Sequence, residues 1–250
     1  MTNQEKIATL NEWLKNSKNI VFFGGAGVST ESGIPDFRSA DGLYNTPDVN
    51  FTGYDPEYLL SFTCLHYNPN VFFEFYRQKL DCRNIEPNIT HKKLAEWEQK
   101  GRLVSVITQN IDGLHQKAGS KNVREIHGTT LRNYCRKCGK PYPANYIFEY
   151  QDGLVPKCKC GGVVRPAVTL YEEQLPEDAW YEAASDIRTA DLLIVAGSSM
   201  TVWPAASLVE YAPKDCRIAV INRDPISLSR KTADLEINAN LGDVFSQLEV

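Results

Sequence analysis

Nowhere in the 250 residues does an apolar run approach the ~18 that would suggest a membrane span. Basic runs are equally scarce: none is longer than Lys92-Lys93, and the net charge is −4 with a pI near 5.7. That balance lacks the basic face of a nucleic-acid binder, although a Lys-rich protein tail stays compatible as a partner. The first residues show neither an apolar leader core nor an Arg- and Ser-rich transit composition. The expectation is a cytoplasmic protein with no membrane and no direct nucleic-acid partner. Cysteines number seven, an odd count without a secretion signal, which argues against a disulfide framework. Four of them cluster (Cys135, Cys138, Cys158, Cys160), whereas Cys64, Cys82 and Cys216 are scattered and expected to be buried or neutral thiols.

What is present reads as an alternating α/β chain. Thr2 and Glu5 have the spacing of a capping box, followed by a helical stripe of Ile7, Leu10, Trp13 and Leu14. An apolar run from Asn19 to Phe23 stops at Gly24 and Gly25, and further strand patterns fall at 103–108, 191–196, 217–221 and 234–237. Helical patterns run from Thr90 to Gly101 and over 176–188, 204–211 and 242–248. Continuous apolar strands alternating with helices imply a doubly wound, Rossmann-like parallel sheet covered on both faces. Residues 1–39, 86–128 and 166–250 are assigned to that domain, 40–85 to a helical insert with helices after Pro56 and Pro69, and 129–165 to a small inserted module.

The strand before Gly25, Ala26 and Gly27 has the geometry of a phosphate-binding loop, in which glycines admit a pyrophosphate and helix N–H groups point at it. A plain strand-to-helix turn is the simpler alternative. A hydride-transfer fingerprint would carry glycine at position 30, where this chain has Thr30, and Pro35 breaks any helix there. The pattern therefore suggests a dinucleotide that is bound but not presented for hydride transfer. Thr108 to Asp112 sits just past an apolar strand, where open parallel sheets bind ligands, although an Asn/Asp turn capping a helix has the same look. His127 is also at a strand end; a lone histidine is more often structural, but an imidazole titrating near ~6.5 when unperturbed is largely neutral and basic at cytoplasmic pH.

Cys135 and Cys138, then Cys158 and Cys160, supply four thiolates across a gap of nineteen residues. This set suits one tetrahedral Zn2+ whose positions are all filled by protein, hence a structural zinc-binding module.

Four segments together resemble the sirtuin family of NAD-dependent deacylases: residues 25–38, residues 108–115, Glu125 to Gly128, and Gly197 to Ser199. The resemblance covers about residues 15 to 245 and departs from the family at the second cysteine pair, which is one residue short of C-x-x-C. It implies that NAD is a co-substrate. An acyl-lysine oxygen would displace nicotinamide, His127 would activate a ribose hydroxyl, and lysine and O-acyl-ADP-ribose would leave. By the same resemblance Asn110 and Asp112 join His127 in the catalytic set. Gly25, Ala26, Gly27, Thr30, Asp36, Phe37, Arg38, Gln109, Ile111, Ser198, Ser199, Asn222, Asp243 and Val244 would bind NAD. Thr169, Leu170 and Tyr171 would pair with an acylated-lysine peptide as an added strand, with Val202 opposite.

Relatives that remove acidic acyl groups carry Tyr-x-x-Arg. Here Tyr76 is kept as a substrate contact, but Lys79 replaces the arginine and cannot make its bidentate contact, so neutral acyl groups are expected, acetyl first. Many relatives carry Phe-Gly-Glu where this chain has Tyr171, Glu172 and Glu173; the extra carboxylate either favours basic peptides or is simply solvated. Two other readings stay open: ADP-ribose transfer to a protein side chain by the same NAD cleavage, and a non-catalytic NAD or ADP-ribose sensor. No oligomer is required by any of them.

Overall fold

In the computed structural model, residues 1–37, 39, 42–45 and 51–250 are described. The chain begins with helix α1 (Asn3–Asn16), whose capping box is formed: Glu5 N–H donates to Thr2 Oγ1 and Thr2 N–H to the Glu5 carboxylate. Strand β1 (Ile20–Gly24) follows, then short helices α2 (Pro56–Leu59) and α3 (Phe62–Tyr67) and the longer α4 (Pro69–Lys79). Next come α5 (Ile89–Gln99), β2 (Leu103–Thr108), α6 (Leu114–Ala118) and β3 (Val123–Glu125). The module contributes β4 (Gly128–Cys135), β5 (Pro141–Pro143), α7 (Asn145–Phe148) and β6 (Val164–Val168). The chain then adds α8 (Glu177–Arg188), β7 (Leu192–Ala196), β8 (Arg217–Asn222), β9 (Leu235–Asn238) and α9 (Leu241–Phe245).

Six strands form one parallel sheet in the order β3-β2-β1-β7-β8-β9. Successive side chains of β1 point to opposite faces: Phe22 packs with Leu10, Leu14, Trp97 and Phe245, while Val21 and Phe23 pack with Ile187, Leu193 and Leu208. Both faces are therefore dry, as the continuous apolar runs require. Strands leave β1 in opposite directions along the chain, through β2 on one side and β7 on the other. This makes the end of β1 the topological switch point, where such sheets bind ligands beyond their carboxyl ends.

Several sequence expectations shift. No α-helix follows β1; two tight single turns at Ala26–Val28 and Thr30–Ser32 take its place, and Gly33, at φ 93°, ends the second. The segment 204–211 is likewise a tighter helix, Ala205–Tyr211. Helix α3, unmarked by any proline, adds a third helix to the insert. Strand β6 pairs antiparallel with β4 all the way to Gly128↔Val168, so the module's sheet reaches past the boundary set at 165. The scattered cysteines keep to their expectation: Cys64 and Cys216 are buried, and half-buried Cys82 has its thiol pushed up to about 12 by burial and so stays neutral.

Candidate active site and metal centre

The loops that leave β1, β2, β3, β7, β8 and β9 converge on one cavity of about 850 Å³. Gly25, Ala26, Gly27, Thr30, Asp36 and Phe37 line it from the first loop, Gln109, Asn110, Ile111 and Asp112 from the second, and His127 from the third. Ser198, Ser199, Val202 and Asn222 face it from the far half of the sheet, and Thr169, Leu170 and Tyr171 close it from the module side. Residues 90 or more positions apart thus meet because each follows the carboxyl end of a strand.

The base is oriented by its neighbours. His127 Nδ1 lies 2.9 Å from the carbonyl oxygen of Gln109. A carbonyl only accepts, so Nδ1 carries the proton and Nε2 keeps its lone pair. Burial lowers the imidazole pKa from its ordinary 6.5, and the bond to Gln109 only partly offsets this. The ring is therefore neutral at physiological pH. Its backbone is fixed too, since Thr169 N–H donates to the His127 carbonyl at 2.9 Å.

Asn110 and Asp112 are joined through a residue that sequence reasoning passed over. Asn110 Nδ2 donates to Ser29 Oγ at 3.0 Å, and Ser29 Oγ donates to Asp112 Oδ2 at 2.7 Å. The chain of donors fixes every group: the Asn110 amide turns its nitrogen to Ser29, which leaves its carbonyl oxygen for a ligand or water. Burial raises the Asp112 carboxyl above the usual range, opposed by the Leu114 N–H and the Ser29 hydroxyl. Gln109 is held apart from this chain, donating to Ser198 Oγ at 2.9 Å.

The glycines of the loop serve contacts within the protein. A Cβ on Gly25 would lie 2.9 Å from the Gly197 carbonyl oxygen, and one on Gly27 would lie 2.8 Å from Gly197 Cα. Gly25 N–H is already bonded to Ala196 and Gly27 N–H to Gly197. Their role is to let the β1 and β7 loops touch. The loop's remaining polar groups face the cavity, with Ser199 and Asn222 across it. These hydroxyl and amide groups fit a pyrophosphate and ribose, and Asp36, Asp112 and Asp224 add carboxylates to the same lining.

Three of the expected site residues are not where the sequence put them. Tyr76 is fully buried in the insert, stacked on Phe72 at 6.0 Å and Phe148 at 5.4 Å, and does not line the cavity. Its neighbour one turn on, Lys79, does. Val244 faces the core and Asp243 the solvent; the cavity reaches Asn240 and Leu241 instead, at the N-terminus of α9, which starts one residue before the expected 242. Arg38 lies outside the described residues. Of the remaining histidines, His66 is exposed, His91 caps α5 by accepting from Asn88 N–H, and His115 is buried against it.

The substrate-side strand is clamped from both flanks. Phe62 N–H donates to the Tyr171 carbonyl and Tyr171 N–H to that of Leu60, while the Tyr171 and Tyr44 hydroxyls lie 2.9 Å apart. Neither adjacent carboxylate is loose: Glu172 accepts from Thr63 N–H and Oγ1 at 2.9 and 2.7 Å, and Glu173 pairs with the buried Arg165. The extra carboxylate, Glu172, is an exposed surface group, in line with the solvated reading, and it is also tethered to Thr63.

At the module's tip, the Sγ atoms of Cys135, Cys138, Cys158 and Cys160 all lie within 4.8 Å of one another. The pairs Cys135–Cys160 and Cys138–Cys158 are 3.5 and 3.7 Å apart. A disulfide needs ~2.0 Å, whereas a tetrahedron of thiolates ~2.3 Å from a central Zn2+ has edges near ~3.8 Å. The one-residue shortening of the second pair is absorbed without opening the cluster. The four thiolates fit one structural zinc.

A six-stranded sheet of Rossmann order, a cavity at its switch point and a four-thiolate module define an NAD-binding α/β protein with an inserted zinc module. The Sir2 family model matches residues 25–204, and the chain belongs to the Sir2 family. It is 49% identical to an NAD-dependent protein deacetylase of Clostridium perfringens, over 98% of each chain. Identity to the NAD-dependent protein deacetylase of Clostridium acetobutylicum is 47%, over 96% of this chain and 97% of that one. Among solved structures, a Sir2–p53 peptide–NAD+ complex superposes with a TM-score of 0.84 at 33% identity, covering 99% of this chain and 97% of that chain. A Sir2 variant holding deacetylated p53 peptide and 3′-O-acetyl ADP-ribose reaches a TM-score of 0.87 at 33% identity, covering 99% and 97%.

Proposed function

We propose that this chain is an NAD-dependent protein-lysine deacylase acting first on acetyl-lysine, with His127 as its general base. The observation that carries the reading is the bond from His127 Nδ1 to the Gln109 carbonyl, which presents a neutral, unprotonated Nε2 to a cavity at the NAD-binding end of the sheet. Its Sir2 relatives are named for that activity. NAD supplies the breakable nicotinamide–ribose bond and a ribose that accepts the acyl group. The chain's own residues do the rest. Asn110, steered by Ser29, orients a ligand oxygen or water; Asp112 and Ile111 wall the nicotinamide end together with Phe37; His127 takes a hydroxyl proton when the ribose attacks the acyl carbon. Tyr171 and Val202 hold the peptide on either side, so that reaction occurs in a largely dry space. One water is consumed, and the products are free lysine, nicotinamide and O-acyl-ADP-ribose. Lys79 is the cation at the acyl end, and a single ammonium does not reproduce the fork of an arginine, which favours neutral acyl groups.

The test is nicotinamide release from NAD with an acetyl-lysine peptide. Release is expected only with peptide, and His127→Ala is expected to lower it by about 10²- to 10⁴-fold while zinc content and folding persist. Peptide-independent release with label appearing on protein would instead favour ADP-ribose transfer, and faster turnover of succinyl- than acetyl-lysine would overturn the acyl preference.

A further inference from the structure

The charge of the protein is divided unevenly. Residues 129–165 hold seven basic side chains against two acidic ones, a net +5, whereas the whole chain is −4 and the remainder is therefore −9. A zinc with four thiolates carries −2, so the metal-loaded module keeps a surplus near +3. The module's ion pairs use only part of the set: Arg132 meets Glu125, Arg165 meets Glu173, and Glu149 meets Arg83. Arg136, Lys137, Lys140, Lys157 and Lys159 are exposed and form no close ion pair among the described residues, although Arg136 acts on the Glu173 carboxylate at longer range. Repulsion among them is tolerated because they point into water around the cysteine cluster.

This surface is continuous with the substrate strand. The Arg136 guanidinium stands over the Phe62 ring at 5.1 Å, and Phe62 N–H is bonded to the carbonyl of Tyr171, which lines the cavity. Of the two groove carboxylates nearest to it, Glu173 is paired with Arg165, whereas Glu172 is exposed, bonded only to the neutral Thr63, and keeps its charge. The positive surplus therefore belongs to the module, and Glu172 is the one carboxylate left charged beside Tyr171.

We propose that the zinc module is an electropositive docking surface for acidic residues that flank the acyl-lysine in a protein substrate, an inference that rests on the deacylase reading above. A substrate strand seated along Tyr171 would carry its neighbouring side chains towards Arg136, which reaches that strand through Phe62, and into the field of the module's lysines. Complementarity of this kind acts on encounter and binding, not on the chemical step, and is screened by salt.

The experiment compares acetyl-lysine peptides that are identical except for three flanking residues, acidic, neutral or basic, placed on either side of the lysine in separate peptides. Each is measured by turnover and by fluorescence anisotropy with the zinc-loaded protein. With acids on one side, KM and Kd are expected to fall about fivefold below the neutral peptide at low ionic strength, with kcat unchanged and the advantage gone near ~1 M salt. The variant carrying Lys140→Glu, Lys157→Glu and Lys159→Glu is expected to lose the advantage while turning over the neutral peptide normally. Lys140→Glu alone, expected to lose part of it, serves if the triple variant does not retain zinc. Equal affinity for acidic and neutral peptides, or an advantage that survives charge reversal, overturns the proposal. So does nucleic-acid binding that the reversal abolishes while peptide discrimination is unaffected. Absence of turnover on every peptide would count against the deacylase reading, and the anisotropy comparison would still decide the docking surface.

Discussion

Every residue of β1 and β7 is buried, and two clusters of about twenty apolar side chains each cover the two faces of that sheet. Across the groove, the module's own apolar cluster among the described residues is Cys135, Cys158 and Val164, with Tyr142 and Tyr146 leaning on it, while its Ile147 and Val168 pack into the insert's cluster. So small a core does not offset the ordering of some forty residues, and structures of that size are normally stapled. The two halves of the active site are thus held by different forces. The NAD side is shaped by apolar burial and stands without help; the peptide side is positioned by β4 and β6, whose free ends are gathered by metal. Chelation breaks this comparison most directly. Removing zinc is expected to unfold the module and abolish deacylation, while the parallel sheet keeps most of its far-ultraviolet signal. Undiminished turnover by protein shown to be metal-free would refute the division.

On the NAD side the vulnerable point is polar. Ser29 is 1% exposed and bridges Asn110 to Asp112. Ser29→Ala removes the acceptor of one buried group and a donor to the other, a cost of about 1–3 kcal/mol for each group left unpaired. The surrounding fold is held by burial, so the loss should appear mainly in function: kcat about 10- to 100-fold lower, since a displaced Asn110 misorients the reacting oxygen. Peptide KM, set across the groove, should hardly move. A variant with normal kcat would show that Asn110 and Asp112 are positioned independently of each other.

Ser29 also marks where sequence reading stops. Apolar runs placed β2 at Leu103–Thr108 to the residue, because a strand buried on both faces is a local pattern. Cysteine spacing exposed the metal site for a similar reason: ligand geometry restricts chain separation. The cavity-lining residues after β1, β2, β3 and β7 could be foreseen once those strand ends were known. Ser29 could not, since its importance comes from positions 29, 110 and 112 meeting in space. Tyr76 failed in the opposite sense. One helical turn separates it from Lys79, and which of the two faces the cavity depends on how α4 packs on Phe51, Ile147 and Phe148, none of which its own sequence reveals. Asp243 and Val244 failed because helix phase at the short α9 is set by Leu241 and Phe245 docking on the sheet.

A smaller effect, but one that sharpens the same contrast, is the acid limb of activity. His127 must be neutral to accept a proton, and burial lowers its pKa from 6.5. Proton uptake therefore silences the base only below about pH 6.5, so kcat/KM should be flat through neutrality and decline as pH falls through the shifted value. Weakening the dry wall moves this limb back up: a cavity-side variant that admits water beside His127, such as Ile111→Ala, should shift it towards the ordinary histidine value. A limb at or above pH 6.5 in the unaltered protein would mean that burial does not control the ring.

The least disruptive change tests the tether between insert and groove. Glu172 has φ 74°, the left-handed region that favours glycine, and relatives with Phe-Gly-Glu there would adopt it without strain. Glu172→Gly relieves a cost of about 1 kcal/mol but deletes the bonds to Thr63 N–H and Oγ1 at the start of α3. Those bonds are exposed and worth about 1 kcal/mol in all, so the two effects nearly cancel. The melting temperature should move by no more than ~3 °C. What does not cancel is geometry: with the α3 end released, the Phe62–Tyr171 bond holding the substrate strand loses its brace, and peptide KM is expected to rise about two- to threefold with NAD KM unchanged. If both constants stay fixed, the carboxylate serves only as a helix cap, and the insert positions Tyr171 through its backbone bonds alone.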